Sequence, residues 1–322
     1  MERQVMVVKS QKTDLHIAAC CDQNYLPYTA VMMVSAARRL DQAYRPVFHF
    51  VAVDIADHWL TRLSEEVTRH GGDLKVYQPD TTAFKGLPTL RYGDAVYHRI
   101  LLAEYLPEDI HRVIYIDADT YVVDDIAKLW QTDLSGHPVG AVEDLSRSAC
   151  KTIDIPRPKY FNSGVLVMDL DAWRQQGIAR KVVRYAADNA HRLNYVDQCS
   201  LNAVLHKDWA RLPPRWNQQA TVYKALNRHS AGSGYEKAEL REAIRNPAIY
   251  HFTGREKPWL WYCFAPVKHE YRALLDSLEW TEELRPKENL GDKLEAVLSL
   301  RKQAQYLGRL MVWLFHRKRG SH

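Results

Sequence analysis

No stretch of this 322-residue chain approaches the ~20 consecutive apolar residues needed to cross a bilayer, which excludes a helical membrane span. The opening MERQVMVVKSQKTD lacks the apolar core and cleavage site of a secretory signal, so residence in the cytoplasm is the expectation. Cysteine is scarce: Cys20, Cys21, Cys150, Cys199 and Cys263 are an odd set with no CxxC pair. They form neither a disulfide framework nor a zinc pattern, which leaves buried thiols in a reducing compartment. Neither G-x-x-x-x-G-K-[ST] nor G-x-G-x-x-G is present, so any phosphate must be held by a metal and by scattered basic or backbone donors. G-x-S-x-G is absent too, which argues against a serine hydrolase. Acidic residues stop at Glu295, while Arg301, Lys302, Arg309, Arg317, Lys318 and Arg319 follow. Without those six, 38 basic residues stand against 39 acidic ones, so the net charge of +5 belongs to the tail. A body without basic excess argues against nucleic-acid binding.

What is present is a globular composition, 46% hydrophobic and 26% charged. Apolar runs at Leu15–Ala19, Val47–Val53, Leu74–Tyr77, Val113–Ile116 and Gly164–Leu170 read as strands. Helical spacing occupies Tyr25–Leu40, Trp59–His70, Ala95–Tyr105, Ala172–Ala190 and Val196–His206. Gly71-Gly72 supplies a stop signal for the second helix. This alternation predicts an α/β domain whose mostly parallel sheet carries helices on both faces, with ligands beyond the carboxyl ends of the strands. The composition shifts near Arg285-Pro286, giving a body of residues 1–285 and a basic, amphipathic helical tail of residues 286–322.

Chemistry concentrates at VIYIDADTYVV, residues 113–123. Residues two apart share a face of a strand, so Asp117 and Asp119 project together from its carboxyl end. Two carboxylates there repel unless a cation lies between them, and Mg²⁺ or Mn²⁺ commonly bridges such a pair to phosphates. The segment HFTGREKPW adds His251 after the apolar Ile249-Tyr250, then Gly254 and a Lys257 followed by proline. A histidine that completes a metal shell and a loop that contacts phosphate oxygens fit that pattern. An aspartyl-phosphate phosphatase also uses a DxD, but it expects Thr or Val where Tyr121 stands. A non-catalytic sugar-nucleotide or glycan-binding protein is the other alternative.

Five segments in order resemble the nucleotide-sugar glycosyltransferases of family 8, the retaining group with the GT-A fold. They are AACCDQNY (18–25), RVIYIDADTYVVDDIAKLW (112–130), YFNSGVLVMDLDAWR (160–174), VDQCSLNAVL (196–205) and HFTGREKPW (251–259). The resemblance implies a single Rossmann-like GT-A domain that uses a UDP-sugar, UDP-glucose or UDP-galactose, with Mn²⁺ or Mg²⁺. It implies that Asp22, Asn24 and Tyr25 hold the uridine, Tyr25 by stacking. Arg99 would contact donor phosphate or sugar. Asp117, Asp119 and His251 would ligate the metal, and Gly254 and Lys257 would bind the diphosphate. Asn162, Asp197 and Gln198 would line the donor sugar and the reacting face. The stretch Arg91–Ala95 departs from the family's pattern, which removes the sugar contacts expected there.

Retention can run through a covalent sugar–enzyme intermediate or through attack on the face the diphosphate leaves. Gln198 is a poor nucleophile, and Asp197 or Asp169 would need the right geometry, so same-face attack is favoured. In the tail, Trp313 and Phe315 lie among basic residues, the pattern of a helix resting in the interface of an anionic membrane. The expectation is a peripheral enzyme on the inner face of the membrane, with a glycan or glycolipid acceptor such as a lipopolysaccharide core.

Overall fold

The computed structural model describes residues 12–286 except 80–83, 85, 90–92, 147–149, 228–231, 255, 261–262 and 264. The expectations for the tail, and for Arg91 and Tyr92, lie outside the described residues.

The first half alternates as its pattern predicts: β1 (Thr13–Asp22), α1 (Leu26–Arg39), β2 (Tyr44–Val53), α2 (Asp57–Arg69) and β3 (Asp73–Tyr77). A 3₁₀ segment, Asp94–Leu101, runs into the single turn α3 (Leu102–Tyr105), and β4 (Arg112–Ile116) follows. After it come β5 (Thr120–Val122), α4 (Ala127–Trp130), β6 (Val139–Glu143), β7 (Phe161–Asp169), α5 (Leu170–Gln176), α6 (Ile178–Asp188) and α7 (Val196–Leu205). The last described part holds β8 (Ala210–Arg211), β9 (Gln218–Gln219), α8 (Thr221–Asn227), α9 (Lys237–Arg245), β10 (Ile249–His251) and α10 (Lys268–Ser277).

Seven strands form the main sheet in the order β3-β2-β1-β4-β7-β6-β8. β7 alone runs antiparallel to its neighbours, β4 and β6. The sheet is therefore mostly parallel, and it is covered on both faces. Alternation along β1 shows why its strand reads as a continuous apolar run. Leu15, Ile17, Ala19 and Cys21 enter one hydrophobic cluster with α1 and α2. Ala18 and Cys20 enter a second one with Trp173, Ile178 and Val182. Burial of each such side chain stabilises by roughly 1.5–3 kcal/mol for the larger aliphatics. All five cysteines are free and buried, as expected.

Two helices differ from the reading of the sequence. Ala95–Tyr105 winds mainly as a 3₁₀ helix, and the three-residue turn lets Arg99 Nε bond to the Val96 carbonyl at 3.0 Å. Ala172–Ala190 breaks at Gly177, whose φ of +60° ends α5 in a left-handed turn before α6 begins.

Three short strands, in the order β5-β10-β9, form a second, smaller sheet. The chain leaves the main sheet at Ile116, turns through Asp117–Asp119, and enters this second sheet. That switch sets up the site. Among the described residues, no helix is long and apolar enough to cross a membrane.

Candidate metal and nucleotide site

β5 and β10 pair antiparallel with Thr120 opposite His251, and Phe252 N–H donates to the Asp119 carbonyl at 3.0 Å. A histidine 132 positions after Asp119 in sequence thereby reaches the DxD turn. β7 runs against β4 with Val165 opposite Ile116, so its first residues, Asn162–Gly164, lie beside Asp117. Asp117 N–H donates to the Gly164 carbonyl at 2.8 Å. One oxygen or nitrogen each from Asp117, Asp119 and His251 lie within 4.8 Å of one another. His251 Nε2 stands 3.2 Å from Asp119 Oδ1 and 3.6 Å from Asp117 Oδ2.

This donor set fits a divalent cation. Two carboxylates with one imidazole suit Mn²⁺ or Mg²⁺, and Gly164 keeps open the room in which they converge. A Cβ there would fall 2.1 Å from His251 Cε1 and 2.6 Å from Asp117 Oδ2. Lys257 Nζ bonds to Asp119 Oδ2 and to the Phe252 carbonyl. Burial alone would raise the Asp119 carboxyl, but the Lys257 ammonium outweighs it and holds the group well below the usual carboxylate range.

Arg99, only 4% exposed, lies between two acids. Its guanidinium is 2.9 Å from Asp117 Oδ1 and 3.2 Å from Asp197 Oδ2, and it donates to the Ser163 carbonyl at 2.9 Å. Burial works against the charged guanidinium, yet the two carboxylates keep it protonated far above neutrality. Asp197 is pushed up to about 6 by burial, with Arg99 opposing. Asp197 and Gln198 occupy the first turn of α7, where both are buried, and Ser163 Oγ donates to Asp197 Oδ2 at 3.1 Å. Asn162 Nδ2 donates to Gln198 Oε1 at 3.0 Å.

Asp22, Asn24 and Tyr25 gather on the same rim. Asp22 ends β1 and accepts from Tyr25 N–H at 3.1 Å, capping a short 3₁₀ turn that exposes Asn24. Tyr25 is 39% exposed and packs edge-on against Trp259, while Tyr28 stacks on Trp259 with centroids 3.5 Å apart. Tyr25 also stands edge-to-face with Tyr28, with centroids 5.8 Å apart, and leaves part of its ring exposed on the rim. Gly254 is exposed beside this rim, in the same loop as Lys257 and Trp259.

Asp169 does not join the site. It pairs with Arg112 at the opposite end of β4, roughly 16 Å from Asp117 at strand rise. There it caps α5 by accepting from Ala172 N–H at 2.9 Å. Three residues join that sequence patterns did not single out. Asp144, after β6, accepts from Gln198 Nε2 at 2.8 Å, and burial raises its carboxyl. Its signal is the apolar Val139–Val142 run that ends in two acids, as the DxD strand does. Asn217 contacts both His251 and Asn162, and Ser163 binds Arg99 and Asp197. For these two the sequence carries no periodic signal.

A family model described as Glycosyl transferase family 8 matches residues 16–263. General stress protein A of Bacillus subtilis (strain 168) is 33% identical over 272 residues, covering 83% of this chain and 94% of its own length. The lipopolysaccharide 1,2-glucosyltransferase of Escherichia coli (strain K12) is 24% identical over 277 residues, with coverages of 84% and 80%. Among solved structures, the galactosyltransferase LgtC in complex with donor and acceptor sugar analogues matches with a TM-score of 0.71 at 25% identity. That match covers 84% of this chain and 100% of LgtC.

Proposed function

The chain belongs to glycosyl transferase family 8 and has the GT-A fold, and we propose that it is a metal-dependent retaining hexosyltransferase using UDP-glucose or UDP-galactose. The observation that carries this reading is the convergence of Asp117, Asp119 and His251 on one point, with Lys257 against Asp119 and the partly exposed ring of Tyr25 on the same rim. Asp117, Asp119 and His251 hold the cation, which when bound supplies a Lewis-acid charge against the donor diphosphate. Tyr25 stacks on uracil, with Asp22 and Asn24 taking base and ribose. Lys257 and the Gly254 backbone bind the diphosphate, so the ammonium meets the charge that grows on the leaving oxygen.

Asn162, Asp197 and Gln198 line the sugar. Arg99 acts behind them by neutralising Asp117 and Asp197 together. Because Gln198 is a poor nucleophile and Asp169 lies at the far end of β4, we favour attack by the acceptor on the face the diphosphate leaves. The departing phosphate takes the acceptor's proton. The acceptor is a glycan or glycolipid, with a lipopolysaccharide core the leading case. The basic tail from residue 286 holds the enzyme on the inner face of an anionic membrane.

The test is hydrolysis of a panel of UDP-sugars with Mn²⁺, with Mg²⁺ and with excess chelator. Metal-dependent release of UDP is expected, abolished by Asp119→Ala in a folded protein. Full activity in excess chelator sinks the reading.

A further inference from the structure

A run of buried side-chain amides links the metal-binding cluster to the sugar-facing residues, and its direction can be worked out atom by atom. Gly164 N–H donates to Asn162 Oδ1 at 3.0 Å, and Ser163 N–H donates to Gln198 Oε1 at 3.2 Å. A backbone N–H can only donate, so both facing atoms are oxygens. Gln198 therefore turns its Nε2 to the Asp144 carboxylate, at 2.8 Å. Asn162 Oδ1 is an acceptor, so the Asn217 atom 2.8 Å from it is Nδ2. Asn217 is left presenting Oδ1 to His251 Nδ1 at 2.8 Å, and that nitrogen must carry a proton. A neutral His251 then has its Nε2 lone pair toward Asp117 and Asp119. A lone pair facing two carboxylates is an arrangement that a bound cation resolves. Asn217 is 1% exposed and Asn162, Gln198 and Asp144 are 5–6% exposed, so water does not compete for these bonds.

We propose that Asn217 is a positioning residue that fixes His251 in the Nδ1–H tautomer and ties it to Asn162, Gln198 and Asp144. The metal site and the donor-sugar face are then aligned as one unit. Hydrogen-bond partners behind a ligating histidine typically change metal affinity by about 10–100-fold when removed. The inference deepens the metal-dependent reading and rests on it, while the tautomer itself can be measured without any metal.

The test uses the full chain, stripped of metal, on the high-pH plateau of the His251 ring's own nitrogen-15 titration, where the imidazole is neutral. Nitrogen-15 shifts of the His251 ring distinguish the two tautomers, and the wild type should be protonated at Nδ1. Asn217→Leu removes both hydrogen bonds, so an Nε2–H population should appear and the Kd for Mn²⁺ should rise about 10–100-fold. Asn217→Asp still accepts from His251 but cannot donate to Asn162. It should keep the tautomer and hold Mn²⁺ within about threefold, while kcat for UDP-sugar hydrolysis falls about tenfold or more. A wild type protonated at Nε2, or a folded Asn217→Leu that binds Mn²⁺ as tightly as the wild type, overturns the proposal. If Asn217→Leu does not fold, unchanged kcat in Asn217→Asp overturns it instead. Failure of the functional reading has a separate signature: the wild type itself would neither bind Mn²⁺ nor hydrolyse any UDP-sugar, and the ring shifts alone would then decide.

Discussion

Adding one methyl group at Gly164 tests whether the metal-binding geometry depends on how closely β7 approaches β10. The new Cβ would stand 2.1 Å from His251 Cε1, 2.8 Å from its Nδ1 and 2.6 Å from Asp117 Oδ2. Carbon atoms pack at about 3.5–4.0 Å, so the ring or the strand must retreat by more than ~1 Å. The strand is held by the Val165–Ile116 register and by the Asp117 N–H bond to the Gly164 carbonyl. The ring is held at Nδ1 by Asn217 and is only 5% exposed. Overpacking of this kind costs about 1–3 kcal/mol, and displacement of a positioned group by about 1 Å can cost a hundredfold in rate.

Gly164→Ala should therefore lose about 1–3 kcal/mol of stability in urea, weaken Mn²⁺ binding about tenfold or more, and depress hydrolysis further still. Gly140→Ala provides the control. Its Cβ would meet Leu134 Cδ2 at 2.7 Å and Leu212 Cδ2 at 3.2 Å, an overpacked core with no metal ligand in it. Similar destabilisation with unchanged Mn²⁺ affinity is expected there. Calorimetric Mn²⁺ titration of the three proteins reads the difference, and wild-type affinity in a folded Gly164→Ala refutes the reasoning.

Tyr25→Ala should weaken UDP binding by about ten- to a hundredfold, since base–aromatic stacking is worth roughly 1–3 kcal/mol; unchanged affinity in a UDP titration places the base elsewhere. Glu143, fully buried at the end of β6 and pushed up to about 7 by burial, keeps its proton in the folded state where the unfolded chain has lost it. Wild-type stability relative to Glu143→Gln should thus fall as pH rises from about 4.5 through about 7, by on the order of 3 kcal/mol; urea melts at both ends that shift in parallel contradict this. Truncation after Pro286 should release the protein from anionic vesicles and spare UDP-sugar hydrolysis, because six basic residues are each worth up to ~1 kcal/mol near such a surface. A full-length chain that ignores those vesicles at low salt removes the membrane role.

The strands that read clearly in sequence are those whose burial produces long apolar runs, β1, β2, β4 and β7, and they carry Asp22, Asp117 and Asn162 into place. His251 was legible as a candidate third member of the DxD metal shell, but the pairing of β5 with β10 that brings it there was not, because it spans three residues on each side. β9 has two residues, too few for any period to show, and Asn217 precedes it. In β6 a glycine interrupts the apolar run because Leu134 and Leu212 occupy the space of a side chain. That concealed the strand, and with it Asp144. The 3₁₀ winding before β4 was equally hidden, since spacings of three and four residues overlap over so short a segment.

The charges of the assembled site point the same way as its geometry. Asp117, Asp119, Asp144 and Asp197 cluster with two permanent cations, Arg99 and Lys257. Arg99 is shared between Asp117 and Asp197, and Lys257 serves Asp119. With all four acids ionised, the balance is two negative charges in a region largely removed from water. The protein meets part of this by raising Asp144 and Asp197, so that protonation becomes easier there. Asp119 shows the opposite response and stays ionised. Asp144 and Asp197 are thus the acids eased toward neutrality, whereas Asp119, beside His251, keeps its charge. With Asp144 and Asp197 ionised as well, the two uncompensated negative charges of the cluster match a divalent cation in size, and the convergence of Asp117, Asp119 and His251 gives it a place. In the function proposed, Lys257, which here serves Asp119, would be the ammonium that meets the donor diphosphate once those residues hold a cation.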